Sequence, residues 1–374
     1  MALDAIQVFD VVPPALLPEQ LVAEAMRIAG VPVALYVLDI DGSHLLHMAG
    51  PRRLGQRLSA PLAIGPELDA DGVSKLRDRF ARHGQIELFP LWLRGRATGA
   101  LIAFGSPHGS LTELARQAAA AVTLSDRYTD AFAQAQRRKQ PRAAAEIQQS
   151  LLPPRVMRVT GGEVAGNVLP TYEVAGDWFD VVENSDGVWI TLADGLGGTT
   201  RSAASSAVAL GALRASRRSG GTISEALMLM HQTLSEMPGP RAEMTAVIAR
   251  WDPTSCQLAV ARCGHVDPIV LHPDGEREVL ETPRGRGLGG RSTPKPGERS
   301  AQLRPGDRLL MVSDGVIKAG DGRAGLGREV LRETGGAASR RSAGDTVRAV
   351  QDAVLQASKG DLTDDATAVC LWVA

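Results

Sequence analysis

The alternation of apolar and polar positions divides the chain into three stretches. In residues 1–110 it mixes helical and strand periods. Residues 21–29 carry apolar residues at helical spacing, and residues 31–40 form a β-branched apolar run that ends at the turn dipeptide Asp41-Gly42. Residues 86–92 and 98–104 flank Arg94-Gly95 and predict a hairpin. In residues 111–154 the pattern becomes helical throughout. Ser110 and Glu113 have the spacing of a capping box, and a Gly-free run rich in Ala and Gln follows. Leu114, Ala118, Ala121, Ser125, Tyr128, Phe132 and Ala135 recur at alternating four- and three-residue steps, a heptad-like seam. Pro141 must interrupt it; helical spacing resumes at 143–152 and stops at Pro153-Pro154. Such a linker would serve as a parallel homodimer stalk or as a helix packed on its own domain.

Residues 155–374 alternate short strands with turns. The segments 180–183 and 188–192 flank Asp186-Gly187, 244–250 and 257–262 flank Asp252-Pro253, and 268–272 and 279–280 flank Asp274-Gly275. Residues 308–312 and 368–373 are further apolar strands. Helices are expected over 202–217, over 222–237 with Thr222 and Glu225 as a capping box, and from Ser342 onward, burying Val347, Val350 and Val354. Consecutive hairpins with segregated helices predict an α+β protein with antiparallel sheets.

Composition narrows the function. With 41 basic and 42 acidic residues in 374, the chain has no global attraction for nucleic acid or anionic lipid. No basic–aromatic stripe suggests a nucleic-acid partner. No apolar run approaches the ~18 residues a membrane span needs. The first residues lack a basic region and make a poor signal peptide. Cys256, Cys263 and Cys370 form no CxxC pair and no disulfide framework, which fits a reducing cytoplasm.

Four acidic sites stand out: Gly176-Asp177, Asp194-Gly195, Asp314-Gly315 and Asp364-Asp365. Three of them follow or adjoin an apolar strand. A carboxylate at a strand end is rigidly held yet open to solvent, a position suited to a hard divalent cation. Glycine beside it lets the backbone turn tightly and present its own carbonyl. A single Asp-Gly is ordinarily a turn, and Asp186-Gly187, Asp274-Gly275 and Asp321-Gly322 are read that way.

The order of these segments carries a resemblance. From Glu146 onward the chain resembles the SpoIIE/RsbU-like branch of the PPM metal-dependent protein serine/threonine phosphatases. The matching segments are LLPP at 151–154, AGDWFD at 175–180, DGLGGT at 194–199, MTAVI at 244–248, CGHVDPIV at 263–270, GLGG at 287–290, PGDRLLMVSDG at 305–315 and DDAT at 364–367. The resemblance implies an α-β-β-α sandwich over 155–374 and a two-metal site holding Mn²⁺ or Mg²⁺. Asp194 would bridge both ions, with the Gly195 carbonyl on one of them. Asp314 and Asp364 would bind the first ion and Asp177 the second, and Asp365 would sit beside them. Asp194, Asp314 and Asp364 would then carry catalysis by activating a shared water. The expected substrate is a phosphoserine or phosphothreonine protein, a phosphorylated STAS-type anti-anti-sigma factor foremost. Residues 1–110 are similar to a GAF domain, an α/β sensor, best matched over PLWLRGRATGALIAFG, with 111–154 as helical linker.

One position departs from the branch. Gly198 stands where DVxGHG motifs carry His. If that His protonates the leaving alkoxide, its loss costs about 10²–10⁴-fold on alkyl phosphates. His265 is read as a loop-ordering residue and His231 as an exposed helix residue. Arg284, Arg286, Arg291 and Lys295 form a basic loop, read as solvated. The competing reading is a non-catalytic regulator that uses the phosphatase fold to bind a partner, and a two-metal nuclease is disfavoured by charge.

Overall fold

The computed structural model describes residues 12–39, 44–59, 78, 80, 84–94, 96–136, 143–169, 176–197, 200–283, 285–319, 342–359, 362 and 364–374. The chain divides into two compact units, residues 1–140 and 141–374.

In the first unit, helix α1 (Leu17–Ala29) and helix α2 (Thr112–Ser125) pack on one face of an antiparallel sheet. Its strands are β1 (Val33–Leu38), β2 (His44–Ala49), β3 (Arg57–Ser59), β4 (Ile86–Leu93) and β5 (Arg96–Phe104), in the order β3-β2-β1-β5-β4. Period-2 alternation explains the two cores. Val33, Leu35 and Val37 face the helices, whereas Ala34 and Tyr36 join a second cluster with Ile102 and Phe104 on the opposite face. Gly30 ends α1 in the left-handed conformation at φ 66°, which glycine adopts without strain.

Helix α2 differs from its sequence expectation. Its N-cap is Leu111, and the Ser110 hydroxyl accepts the Thr112 N–H at 3.2 Å in place of a reciprocal capping box. The helical run breaks after Ser125 and resumes as α3 (Ala131–Gln136). Leu114, Ala118, Ala121 and Phe132 of the heptad-like seam are buried in the unit's own core, while Tyr128 is exposed. Packing on the sheet offers these small residues more apolar surface than a single stripe could. A charge at Phe132 would therefore disrupt the unit.

The second unit begins with α4 (Ala143–Leu151), β6 (Val156–Val159) and β7 (Gly162–Leu169). Next come β8 (Trp178–Asn184), β9 (Gly187–Gly195), α5 (Thr200–Arg218) and α6 (Ile223–Ser235). The strands β10 (Met244–Asp252), β11 (Gln257–Cys263), β12 (Ile269–Leu271), β13 (Arg277–Val279), β14 (Glu298–Gln302) and β15 (Arg308–Val312) follow. The short helix α7 (Asp314–Lys318), helix α8 (Ala343–Ala357) and β16 (Ala366–Val373) complete it. The strands form two antiparallel sheets, β14-β11-β10-β9-β8 and β13-β12-β15-β16-β7-β6.

Strand β9 shows how the layers arise. Val188, Ile190 and Leu192 enter the core between the sheets with Val164, Leu309, Met311 and Val369. Trp189 and Ala193 point the other way, toward Leu210, Leu213, Leu227 and Met230 of α5 and α6. Helix α8 covers the outer face of the second sheet, where the Asn167 amide donates to Gln351 at 3.0 Å. The result is the expected α+β sandwich, helices outside two sheets. Helix α6 has the capping box expected of Thr222 and Glu225, and α8 is capped by Ser342.

Candidate active site

Each sheet brings one strand start next to one strand end. In the first sheet Trp178 pairs with Ala193, so Asp177, just before β8, lies beside Asp194 near the end of β9. In the second sheet Val312 pairs with Ala368, so Asp314, just past β15, lies beside Asp364 and Asp365, just before β16. Local packing fixes the pair on the first sheet. Trp178 is fully buried against the helices and anchors Asp177, and Thr245 of β10 sits opposite Asp194.

The glycines of these motifs serve close backbone approach. A Cβ on Gly176 would lie 2.2 Å from the Gly195 carbonyl oxygen, and one on Gly315 would lie 2.1 Å from the Asp365 carbonyl oxygen. Neither Gly195 nor Gly315 adopts positive φ; Asp194-Gly195 ends a strand and Asp314-Gly315 opens a helix. Gly187 and Gly275, by contrast, have φ of 121° and 94° and are the plain turns the sequence suggested. Asp321-Gly322 lies outside the described residues.

A buried hydrogen-bond network supports the carboxylates. The Thr367 hydroxyl donates to Asp177 Oδ2 at 2.6 Å. The Gln148 amide nitrogen, from α4, donates to the Asp177 carbonyl at 2.7 Å and to Asp365 Oδ2 at 2.9 Å. The Ser206 hydroxyl of α5 donates to the Gly176 carbonyl at 3.0 Å, and the Ser313 hydroxyl donates to the Asp365 carbonyl at 3.2 Å. Lys318 Nζ lies 2.6 Å from Asp314 Oδ2 and 3.6 Å from Asp364 Oδ2.

The electrostatics are those of crowded carboxylates. Burial, then the charges of Asp194 and Asp365, hold the Asp177 carboxyl well above the usual range. Burial and the charge of Asp314 push Asp194 up to about 6. Asp314 Oδ1 is buried without a hydrogen-bond partner. An orphaned carboxylate oxygen beside carboxylates that repel one another is a place where a cation would be stabilised. The donors are all oxygen, which suits Mg²⁺ or Mn²⁺. As the side chains stand, no three acidic, histidine or cysteine groups among the described residues converge to chelate an ion. Asp177 Oδ2 is turned to Thr367 and Asp314 Oδ2 to Lys318. The residue types and their placement nevertheless fit a divalent ion, and Asp177, Asp194, Asp314 and Asp364 would hold it.

Other sequence readings fare variously. His265 is buried, with Nδ1 2.7 Å from the Thr245 hydroxyl and its own carbonyl bonded by Arg262, so it orders the loop as expected. Its pKa is lowered to about 4 by burial, which keeps it neutral. His231 is a correction: it is buried, and its Nδ1 accepts the Gly289 N–H at 3.1 Å. Helix periodicity alone had put it on the polar side, but the 287–290 loop covers that side. Arg286 is bonded to Ser292, and Arg284, Gly198 and Thr199 lie outside the described residues. Gln148 and Lys318 were not anticipated. Only Lys318 had a signal, its four-residue spacing from Asp314. Asp180, the last residue of AGDWFD, is buried and paired with Arg214 and Arg217 of α5 at 2.9 and 2.8 Å.

Comparison with known proteins agrees with this architecture. The family model for Stage II sporulation protein E (SpoIIE) matches residues 184–374. The structure of the RsbU and RsbW domains of Rv1364c from Mycobacterium tuberculosis is similar at 25% identity and TM-score 0.52, over 57% of this chain and 60% of that one. The SiaA-PP2C domain of Pseudomonas aeruginosa is similar at 20% identity and TM-score 0.49, over 56% of this chain and 86% of that one. This chain thus spans less than two thirds of the mycobacterial protein. With a family model covering half its length and the sandwich fold in place, the chain belongs to the SpoIIE family of PPM-type protein serine/threonine phosphatases.

Proposed function

We propose that the protein hydrolyses phosphoserine or phosphothreonine on a regulatory protein, using two Mn²⁺ or Mg²⁺ ions held by Asp177, Asp194, Asp314 and Asp364, with the Gly195 carbonyl as a further ligand. The placement of these four carboxylates side by side at one edge of the two sheets carries the reading. A fold has little reason to gather mutually repelling acids at one edge unless a cation joins them. The ions would supply an activated water and neutralise phosphoryl charge. Water's oxygen bonds to phosphorus, the bond from phosphorus to the side-chain oxygen breaks, and that oxygen leaves with a proton. Within the chain, Asp194 bridges the two halves of the site, and Asp365 with Gln148 holds the Asp177 segment. Asp177 is buried while the Asp314 and Asp364 side chains are 40% and 35% exposed, so substrate approaches from the Asp314–Asp364 side.

The substrate we favour is a phosphorylated STAS-type protein of a partner-switching system. The mycobacterial relative, which carries RsbU and RsbW domains in one chain, supports this. The first unit, an antiparallel sheet backed by helices, supports a GAF-like sensor role that regulates the phosphatase unit. Among the described residues no helix is long and apolar enough to cross a membrane, and we assign the protein to the cytoplasm. The test is phosphate release from p-nitrophenyl phosphate and from a phosphoserine protein, with and without Mn²⁺, comparing wild type with Asp194→Asn. Mn²⁺-dependent turnover lost in the variant is expected. No turnover by a folded, Mn²⁺-binding protein would overturn the catalytic reading in favour of a partner-binding regulator.

A further inference from the structure

Lys318 is an unusual neighbour for a metal site. It lies one turn after Asp314 in α7, where an i,i+4 pair would by itself be an ordinary surface contact. Its ammonium, however, also reaches Asp364, which comes from the segment before β16. The two carboxylates that meet on Lys318 are those assigned to one ion. Asp314 spends Oδ2 on the ammonium while its Oδ1 stays buried and unpartnered. The Lys318 side chain is 58% exposed, and its flexible stem leaves it free to swing into solvent.

We propose that Lys318 is a built-in competitor for the divalent cation: its ammonium bridges Asp314 and Asp364 in the metal-free protein and must be displaced when an ion binds there. The inference rests on the metal-site reading above and adds to it a residue that sets metal affinity. The ammonium lowers the mutual repulsion of the carboxylates when no ion is present and raises the metal concentration at which the site fills. It thereby makes occupancy respond to metal supply.

The test uses the full chain and needs no catalysis. Mn²⁺ binding is measured by isothermal titration calorimetry, and melting temperature is followed with and without Mn²⁺, for wild type, Lys318→Gln, Lys318→Arg and Asp194→Asn. Removing the ammonium should tighten Mn²⁺ binding about tenfold, the scale of the attraction to Asp314 and Asp364 at 2.6 and 3.6 Å that the displaced ammonium gives up in a water-like dielectric. The gain should shrink in high salt. Lys318→Arg, which keeps the charge, should stay close to wild type. The metal-free Lys318→Gln protein should melt lower than wild type although it binds metal more tightly; a purely structural ion pair would not produce these opposite signs. Asp194-dependent binding that Lys318→Gln leaves unchanged or weakens overturns this inference alone. Absence of Mn²⁺ binding, or binding indifferent to Asp194→Asn, overturns the metal-site reading and the inference with it.

Discussion

Gln148 offers a direct probe of how α4 is coupled to the site. It is 2% exposed and donates from one amide nitrogen to the Asp177 carbonyl at 2.7 Å and to Asp365 Oδ2 at 2.9 Å. Gln148→Leu keeps most of the volume and removes both bonds. One acceptor is a backbone carbonyl and the other a carboxylate, both in a buried setting. Losing a neutral and a charge-assisted bond there costs about 3 kcal/mol together. For a unit of this size that corresponds to a fall of roughly 6–12 °C in melting temperature. Thermal unfolding followed by circular dichroism, with and without Mn²⁺, reads the effect. The loss should be larger with Mn²⁺, because Asp177 would be a ligand whose backbone is then no longer held. Calorimetry should show weaker Mn²⁺ binding in the same variant. A melting temperature within about 1 °C of wild type in both states, with unchanged Mn²⁺ affinity, would refute the coupling, since bonds of this kind cannot be lost silently. Gln148→Glu should be worse than Gln148→Leu, as it sets a second carboxylate against Asp365.

Three further outcomes are expected. The pKa of Asp194 is raised in the folded state to about 6, so the stability this group contributes is complete below its unfolded value near 4 and is lost as pH rises through about 6. Metal-free Asp194→Asn should therefore be more stable than wild type by roughly 2–3 kcal/mol at pH 7.5, with the gap closing by pH 4; parallel pH–stability curves in urea titrations would contradict this. Gly315→Ala pushes a Cβ against the Asp365 carbonyl, so the variant should lose about 1–3 kcal/mol and most Mn²⁺-dependent turnover, whereas Gly211→Ala, in open space on α5 and without positive φ, should keep its activity. With Gly198 where the DVxGHG motif it resembles has His, turnover should favour aryl phosphates, whose leaving groups need no proton; an aryl-to-alkyl rate ratio equal to that of a His-containing phosphatase would argue against it.

Much of this molecule was legible in its sequence because the signals are local. Turn chemistry and two-residue alternation located the hairpins of the second unit to within a few residues: 308–312 is β15, and 257–262 lies within β11. The acidic motifs were recognisable because each sets a carboxylate beside a small or second acidic residue, and three of the four adjoin an apolar strand. What misled was also local. The helical spacing of 114–135 fitted a seam for another chain as well as a helix packed on its own domain, and the sheet of its own unit covers most of it. His231 looked exposed because the loop that covers it lies 58 residues further on.

The sequence by itself determined which residues could bind a hard cation, in what order they occur, and that the strands carrying them are antiparallel, because side-chain type and backbone period are properties of short segments. Only the tertiary structure decided that Asp177 and Asp194 from one sheet meet Asp314 and Asp364 from the other. It decided too that Gly176 and Gly315 are needed for backbone approach, that Gln148 reaches the site from α4, and that Lys318 bridges two of the carboxylates. Each of these depends on a separation in space between segments distant in the chain. Sheet pairing and the packing of the two sheets set that separation, and no local pattern encodes it.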